Sequence, residues 1–538
     1  MTFRDGTLVD WHEWGPEAFE AAERAGKPVL CSLTAPWCAW CDRMDEESYG
    51  DPKLAANIDE SFLPVRVDVD RQPRIRERYN MGGFPTTVFL TPEGEVLSGA
   101  TYLGPDGLRQ VLDGVRGSWD AKGSAAGRVP RSVSGDDRPA GEVTADVEAH
   151  MVEQVAAAFD EEYGGWGTDA KFPLARTIEF ALKRDRDRAT RTLEAVRTHL
   201  FDTYDGGFYR FAETRRWGEP HREKLVDENA ALLRAFTAGY LYTGEDAYRE
   251  TAERTAEYLT TTAWSDDAFG ASQAASDYYT LEPTEREDAD PPHVDPTVLA
   301  DRNGIAADAL FRFAALTDHE GARRHAERAL ETVLGTLVAD GRVDRFAGED
   351  SESGLLVDHA RVLSGLTAAA QVTGPEGWLP PARAVADDAV DRLVAADGSF
   401  RDGDPTGAGL LERPLYPLGT NAEMADALLD LEALTGEARY GDAAEDALAA
   451  FAGAYDRMGV EAAGYAAACA RSHYEPLVVR TPAAGTDLHR AALRIADHEK
   501  VVVPGDRSDA VVVRGGEALP AAETPDALLD RAAEGPSI

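Results

Sequence analysis

The sequence predicts a multidomain chain of 538 residues. An α/β domain covers 1–118, a linker 119–142, an all-α (α/α)6 toroid of six helical hairpins 143–475, and a small α/β appendage 476–538. Three observations predict this. A Cys-x-x-Cys pair, Cys38 and Cys41, sits between an apolar strand-like run and a polar, helix-compatible stretch. From about Val143, alanine- and leucine-rich helical stretches alternate with turns. After Glu475, β-branched runs return at Leu477–Arg480, Val501–Pro504 and Ala510–Val513.

In chain order, Val9–Lys27 forms an amphipathic opening segment carrying Trp11, Trp14, Phe19 and Ala22. Pro28–Leu33 is the strand before the dithiol, and Asp42–Ser48 the helix after it. Phe62–Asp70 alternates as a strand, and Ile75–Tyr79 is a short helix. Gly82–Leu90 is a turn feeding a strand, and Thr91–Gly94 a hairpin turn into Glu95–Leu97. A helix near Pro105–Ser118 closes the domain, and polar, Gly/Ser/Pro-rich sequence follows from Trp119 to Glu142. Helical stretches are expected at 143–158, 174–185, 187–203, 223–243, 245–263, 301–316, 318–338, 355–373, 380–394, 420–435, 437–453 and 457–470. Gly-aromatic or Asp-Gly units recur after alternate helices, at Gly164–Gly167, Asp205–Phe208, Phe269–Gly270, Asp340–Gly341 and Asp397–Phe400. The recurrence favours a closed ring over an open solenoid. The last residues, Ala532–Ile538, are expected to fray.

Strand, loop, dithiol and helix make the arrangement that thiol–disulfide exchange requires. A sulfur at a helix N-terminus meets unpaired N–H groups that favour the thiolate. A second sulfur three residues on can attack a mixed disulfide formed by the first. Cys38 is therefore the expected nucleophile and Cys41 the resolving thiol. A zinc site would need four ligands. The other cysteines, Cys31 and Cys469, form no second pair, and His12 is the one histidine in the first 140 residues. No metal and no cofactor beyond the dithiol is expected.

The combination Lys27-Pro28-Val29, Trp37-Cys38-x-x-Cys41, Val67–Asp70, Phe84-Pro85-Thr86 and Phe89 resembles the thioredoxin superfamily. The resemblance implies a cis-proline at Pro85 beside the dithiol, with Trp37 and Phe84 completing the catalytic surface. Thioredoxins proper bury an acid six residues before the first cysteine, where this chain has Ser32. Ala39 and Trp40 stand between the cysteines, and Asp42, Asp45 and Glu46 place negative charge nearby, so the direction of exchange stays open.

Further motifs extend the resemblance. Asp10-Trp11-x-x-Trp14-Gly15, Ala170–Pro173, Pro220–Lys224, Asp227–Ala230, Asn303-Gly304 and Asp358–Ala360 make the chain similar to the spermatogenesis-associated protein 20-like family. That family joins a thioredoxin-like domain to a six-hairpin toroid. It usually carries histidines between and just after the cysteines, where this chain has Ala39 and Asp42. Toroids of this type resemble glycosidases and sugar epimerases, which implies a second candidate site at His221, Glu223, Lys224, Asp227, Asn229, Asp358 and His359. These residues offer acid–base groups for glycoside hydrolysis or epimerisation. A ligand pocket without chemistry and a buried salt-bridge and capping network are the other readings of the same residues.

The formal net charge is −42, and seven lysines stand among 55 basic residues. An acid coat spread along the chain, with arginine in place of lysine, reads as adaptation to high salt. Nucleic acid and anionic membrane are poor partners for it. The N-terminus carries no apolar signal region, and no apolar run is long enough to span a membrane. The expectation is a cytoplasmic thiol–disulfide oxidoreductase with an unidentified protein thiol or disulfide partner, its toroid recognising the substrate. The alternative is a carbohydrate-binding or carbohydrate-processing toroid with the α/β domain as accessory.

Overall fold

The computed structural model describes residues 6–134 and 138–533. Most of the expected frayed terminus, 534–538, and linker positions 135–137 lie outside the described residues. The chain divides into two compact units. The first comprises 1–137 with two distant segments, 274–280 and 402–415; the second comprises the remainder.

The first unit is built on a five-stranded mixed sheet. Its strands are β1 (His12–Glu13), β2 (Val29–Thr34), β3 (Leu63–Asp68), β4 (Thr86–Leu90) and β5 (Val96–Ala100), in the order β1-β3-β2-β4-β5. β2 runs parallel to β3 and antiparallel to β4. All three are buried almost throughout, which suits their Val/Leu/Phe content. The helices are α1 (Pro16–Ala25), α2 (Ala39–Met44), α3 (Pro52–Ser61), α4 (Pro73–Tyr79) and α5 (Pro105–Lys122). One core cluster packs Leu30 and Phe89 of the sheet against Leu54 and Ile58 of α3 and Leu108, Leu112 and Val115 of α5. Where a linker is expected from Trp119, α5 continues to Lys122, and Arg128 pairs with Val96 at the β5 edge. Polar composition misled here because α5 buries only a narrow stripe, leaving most of its surface to charged residues.

The segment 402–415 is held by buried charge. Arg74 and Arg78 of α4 both reach Asp402, at 3.3 and 2.6 Å, and the Tyr79 hydroxyl accepts the Leu410 N–H at 3.1 Å.

The second unit is a closed (α/α)6 ring. The twelve helices are α6 (Ala145–Ala157), α7 (Ala175–Arg184), α8 (Arg186–His199), α9 (Val226–Thr243), α10 (Asp246–Thr261), α11 (Ala300–Thr317), α12 (Glu320–Thr336), α13 (Leu356–Thr373), α14 (Leu379–Leu393), α15 (Leu418–Thr435), α16 (Ala438–Ala452) and α17 (Ala463–Tyr474). Odd-numbered helices from α7 to α17 pack neighbour to neighbour, and α17 returns to α7, closing the inner ring. Even-numbered helices cover it, which explains why α9, α11, α13 and α15 are buried on nearly every face.

The long loops entering the inner helices share one clamp. Asn229, Asn303 and Asn421 each occupy the fourth position of an inner helix. Each side-chain oxygen accepts the N–H of the aromatic residue after the turn, Phe208, Phe269 and Phe400 respectively, at 2.7–2.8 Å. Each amide then donates to that residue's carbonyl. The turn itself needs glycine: Gly206 and Gly207 sit at φ +77° and +73°, and a Cβ on Gly207 would lie 2.7 Å from Tyr258.

The appendage joins β6 (Val478–Thr481), β7 (Val501–Pro504), β8 (Val511–Arg514) and β9 (Glu517–Ala518) in the order β7-β6-β8-β9, with helices α18 (Asp487–Leu493) and α19 (Pro525–Ala533). No described helix is long and apolar enough to cross a membrane.

Candidate functional site

Cys38 caps the N-terminus of α2, and its sulfur accepts the Cys41 N–H at 3.1 Å. The two cysteines are joined as a disulfide with their Cα atoms 5.3 Å apart. Both are buried, at 5% and 3% exposure. The Phe84–Pro85 peptide is cis. Trp37 donates its indole N–H to Asp70 at 2.9 Å, and its ring meets Phe84 edge-on at 5.8 Å. Of the five residues expected to form the exchange surface, Trp37 and Cys38 thus lie just ahead of α2, Cys41 in its first turn, and Phe84 and Pro85 just ahead of β4. A third segment joins them: Ala275 donates its N–H to the Trp37 carbonyl at 3.3 Å. Cys31, in the middle of β2, is free and buried, and burial pushes its thiol far up, leaving it unreactive.

The sequence offers no acid at Ser32, yet the structure supplies buried charge from another element. Arg66 of β3 and Thr87 of β4 flank Ser32 in register. Arg66 donates to Asp45 at 2.5 Å, and the Tyr49 hydroxyl pairs with Thr87 at 2.9 Å. Asp45 lies four residues after Cys41, on the same helical face. Asp45 was legible in the sequence as negative charge near the sulfurs, but its pairing was not, because its partner comes from β3.

In the ring, the seven expected pocket residues separate. His221 lies against Glu213 at 2.6 Å and Glu223 at 3.6 Å, stacked on Phe211. Burial alone would lower the His221 pKa, but the Glu223 and Glu213 carboxylates outweigh it and raise it. Burial works against an ionised Glu223, yet His221 and Arg210 hold its pKa below the ordinary value. Asp227 faces Arg302 and Arg361 at 3.9 and 3.5 Å. Asp358 is fully buried on Arg345 at 2.7 Å. Burial and neighbouring Asp301 raise its pKa despite Arg345.

The remaining three take the salt-bridge and capping reading, not the pocket one. Lys224 is fully buried, donating to Asp202 and the Gly206 carbonyl at 2.8 and 2.7 Å. Lys171 repeats this arrangement on Asp160 and Gly167. Asn229 is the loop clamp described above. His359 occupies the fourth position of α13, bonding the Leu355 carbonyl and Asp388. Lys224 and Asn229 hold loops by satisfying turn backbone or a buried carboxylate, while His359 ties the start of α13 to Asp388 of α14. The periodic Lys and Asn positions were the available signal.

Glu228, beside Asp227, was not anticipated. Its side chain is about a third exposed and reaches Arg210 at 3.4 Å through one oxygen, while the other, Oε2, is buried. Enclosure, with Asp227 and Glu223 nearby, raises its pKa to about 8 despite Arg210.

Deeper in the ring lies a cavity of about 470 Å³. Its walls alternate guanidinium and carboxylate groups. Arg234 bridges Glu179 and Asp308 at 3.0 and 2.6 Å, Arg312 meets Asp308 at 2.8 Å, and Arg471 meets Asp430 at 2.5 Å. These charges interrupt otherwise alanine-rich helices, the one sequence sign that those faces are not plain core.

Residues 4–133 match the family model Thioredox_DsbH, described as a protein of unknown function, DUF255. The chain is 29% identical over 288 residues to spermatogenesis-associated protein 20 of Homo sapiens, covering 47% of this chain and 37% of that one. It therefore spans little more than a third of that relative's length. It is 31% identical over 91 residues to the thiol:disulfide interchange protein DsbD 1 of Pseudomonas aeruginosa, covering 16% of this chain and 15% of that one. Among solved structures, cellobiose 2-epimerase from Spirochaeta thermophila matches at TM-score 0.46 and 17% identity, covering 56% of this chain and 82% of that one.

Proposed function

We propose that the first unit is a thiol–disulfide oxidoreductase working through Cys38 and Cys41. One observation carries the reading: the two sulfurs are bonded at the N-terminus of α2, with the nucleophile's sulfur accepting a backbone N–H. In the reducing direction, the Cys38 thiolate attacks a partner disulfide, forming a mixed disulfide and releasing one partner sulfur as thiolate. Cys41 then attacks the Cys38 sulfur, forms the Cys38–Cys41 bond and releases the second partner sulfur. Two electrons pass to the partner, and the reverse sequence oxidises a dithiol. Trp37 is buried and packs edge-on against half-buried Phe84, so Phe84 is the member of that pair a partner can meet. Similarity to a thiol:disulfide interchange protein over this segment supports the reading.

The test is a thiol-tagging titration of the full chain against defined glutathione ratios. A reversible two-electron transition at Cys38 and Cys41, lost in Cys41→Ser, is expected. Thiols that stay free across the cytoplasmic range of potentials sink the proposal.

A second reading concerns the ring. Glu228 keeps a proton near neutrality while Glu223 is held ionised. Two carboxyls with opposed protonation are what general acid–base chemistry on a sugar or similar substrate needs. Turnover of a panel of disaccharides, lost in Glu228→Gln and retained in Cys38→Ser, is the outcome expected of it; no turnover by the native chain rejects it.

A further inference from the structure

The ring's cavity has a closing segment at one end. Residues 497–502, leading into β7, cross the inner helices there. Asp497 and Glu499 both turn to Lys183 of α7, at 2.9 and 2.8 Å, and Glu499 also meets Arg184 at 2.6 Å. His498 pairs through Nδ1 with the Tyr242 hydroxyl of α9 at 3.0 Å, and its carbonyl accepts from Arg312 of α11 at 3.4 Å. Val502 donates its N–H to Gln371 of α13 at 3.0 Å. Lys500 lies between these anchors and is thereby held in place.

The consequence for Lys500 is unusual. It borders both the 470 Å³ cavity and a smaller one of about 70 Å³. The acids beside it in sequence are committed to α7, so its ammonium is left with the Asp497 carbonyl at 3.1 Å. Lys500 is half-buried, whereas the fully buried lysines of this unit, Lys171 and Lys224, each hold a carboxylate within 3 Å. Arg312 and Lys183 add positive charge nearby, and the Asp430 carboxylate of α15 lies 4.0 Å from Arg312. An amine desolvated beside other cations is the setting in which lysine becomes a nucleophile.

We propose that Lys500 is a carbonyl-reactive amine, and that the ring's cavity accepts a small hydroxylated aldehyde or ketone as a Schiff base on it. The Nζ lone pair attacks the carbonyl carbon while the C=O π pair moves to oxygen. The resulting carbinolamine loses water, its oxygen leaving with the two protons that the neutral amine gives up, and C=N replaces C=O. No oxidant or co-reactant is consumed. The paired guanidiniums and carboxylates of the walls supply donors and acceptors for the ligand's hydroxyls. Burial first, then Arg312 and Lys183, pushes the Lys500 pKa down to about 8 against the pull of Asp497, so free amine is present near neutrality. Burial also pushes the His498 pKa down to about 4, so its neutral imidazole adds no charge.

The test treats the full chain with glyceraldehyde and cyanoborohydride from pH 6 to 10, and follows each of the seven lysines by peptide mass spectrometry. Lys500 is expected to be reduced to the secondary amine about tenfold faster than exposed Lys53 and Lys122 at pH 7.5, with a rate midpoint near 8. In Lys500→Arg the fast phase should vanish. Labelling of Lys500 no faster than Lys53, a midpoint above 10, or a fast phase that survives Lys500→Arg overturns the proposal.

Discussion

Asp402 accepts a hydrogen bond from Arg78 at 2.6 Å, although 324 residues separate them. Arg74 shares the same carboxylate, and all three side chains are at most 7% exposed. One buried anion therefore binds the segment 402–415 into a unit otherwise made of the first 137 residues. Asp402→Ala leaves two buried guanidiniums without a counter-charge. The expected cost is about 3–5 kcal/mol, read as a loss of stability in urea unfolding followed by tryptophan fluorescence. A change below 1 kcal/mol would show the pair to be dispensable.

Arg471 presents the same problem in the ring. It serves both Asp426 and Asp430. Burial raises the Asp430 pKa, while Arg471 holds that of Asp426 down against burial. In Arg471→Met both carboxylates should titrate above their unfolded values. The native state then binds more protons than the unfolded state, and stability falls as pH rises. Chemical unfolding at pH 6 and pH 8 should show a deficit that is larger at pH 8.

Glu228 gives a pH dependence in the native chain. Its folded pKa is about 8, above the ordinary 4.5. Between these values the folded state holds a proton that the unfolded state has lost, so stability declines as pH rises through the window. Glu228→Gln removes the term. It should flatten the stability–pH curve between pH 5 and 8 and exceed the native chain's stability at pH 8. Superimposable curves would show that Glu228 titrates normally.

A net charge of −42 predicts a salt response. Screening shortens from roughly 10 Å at 0.1 M to roughly 3 Å at 1 M salt, which relieves repulsion in the compact state. The melting temperature should rise from 0.1 to 2 M KCl. A flat or falling profile would show that the acid coat serves another purpose, such as a basic partner.

The legible part of the candidate sites follows the range of the interactions. Cys38 and Cys41 could be read because spacing along the chain defines them, and Pro85 because the resemblance to thioredoxins implies it. His221 and Glu223 could be read as a local cluster that the fold keeps together. Lys224, Asn229 and His359 carry similar polar and ionisable groups, but Asp202 and Phe208 turn the first two toward the loops and Asp388 ties the third to helix α14. Residue type alone does not distinguish a side chain that faces a cavity from one that holds its wall.

The sequence by itself determined the dithiol and its strand–helix setting, the twelve ring helices and the glycine turns between them. Each rests on hydrophobic periodicity, helix-end chemistry or positive φ, which act within a few residues. Only the tertiary structure decided that 274–280 and 402–415 join the first unit, that Asp45 pairs with Arg66 on the helical face of Cys41, and that charges from α7, α9, α11, α15 and α17 meet around one cavity. Those outcomes depend on burying a charge beside a partner from a distant element. The energy of such a pair is set by a distance and a local dielectric that exist only once the helices have closed the ring.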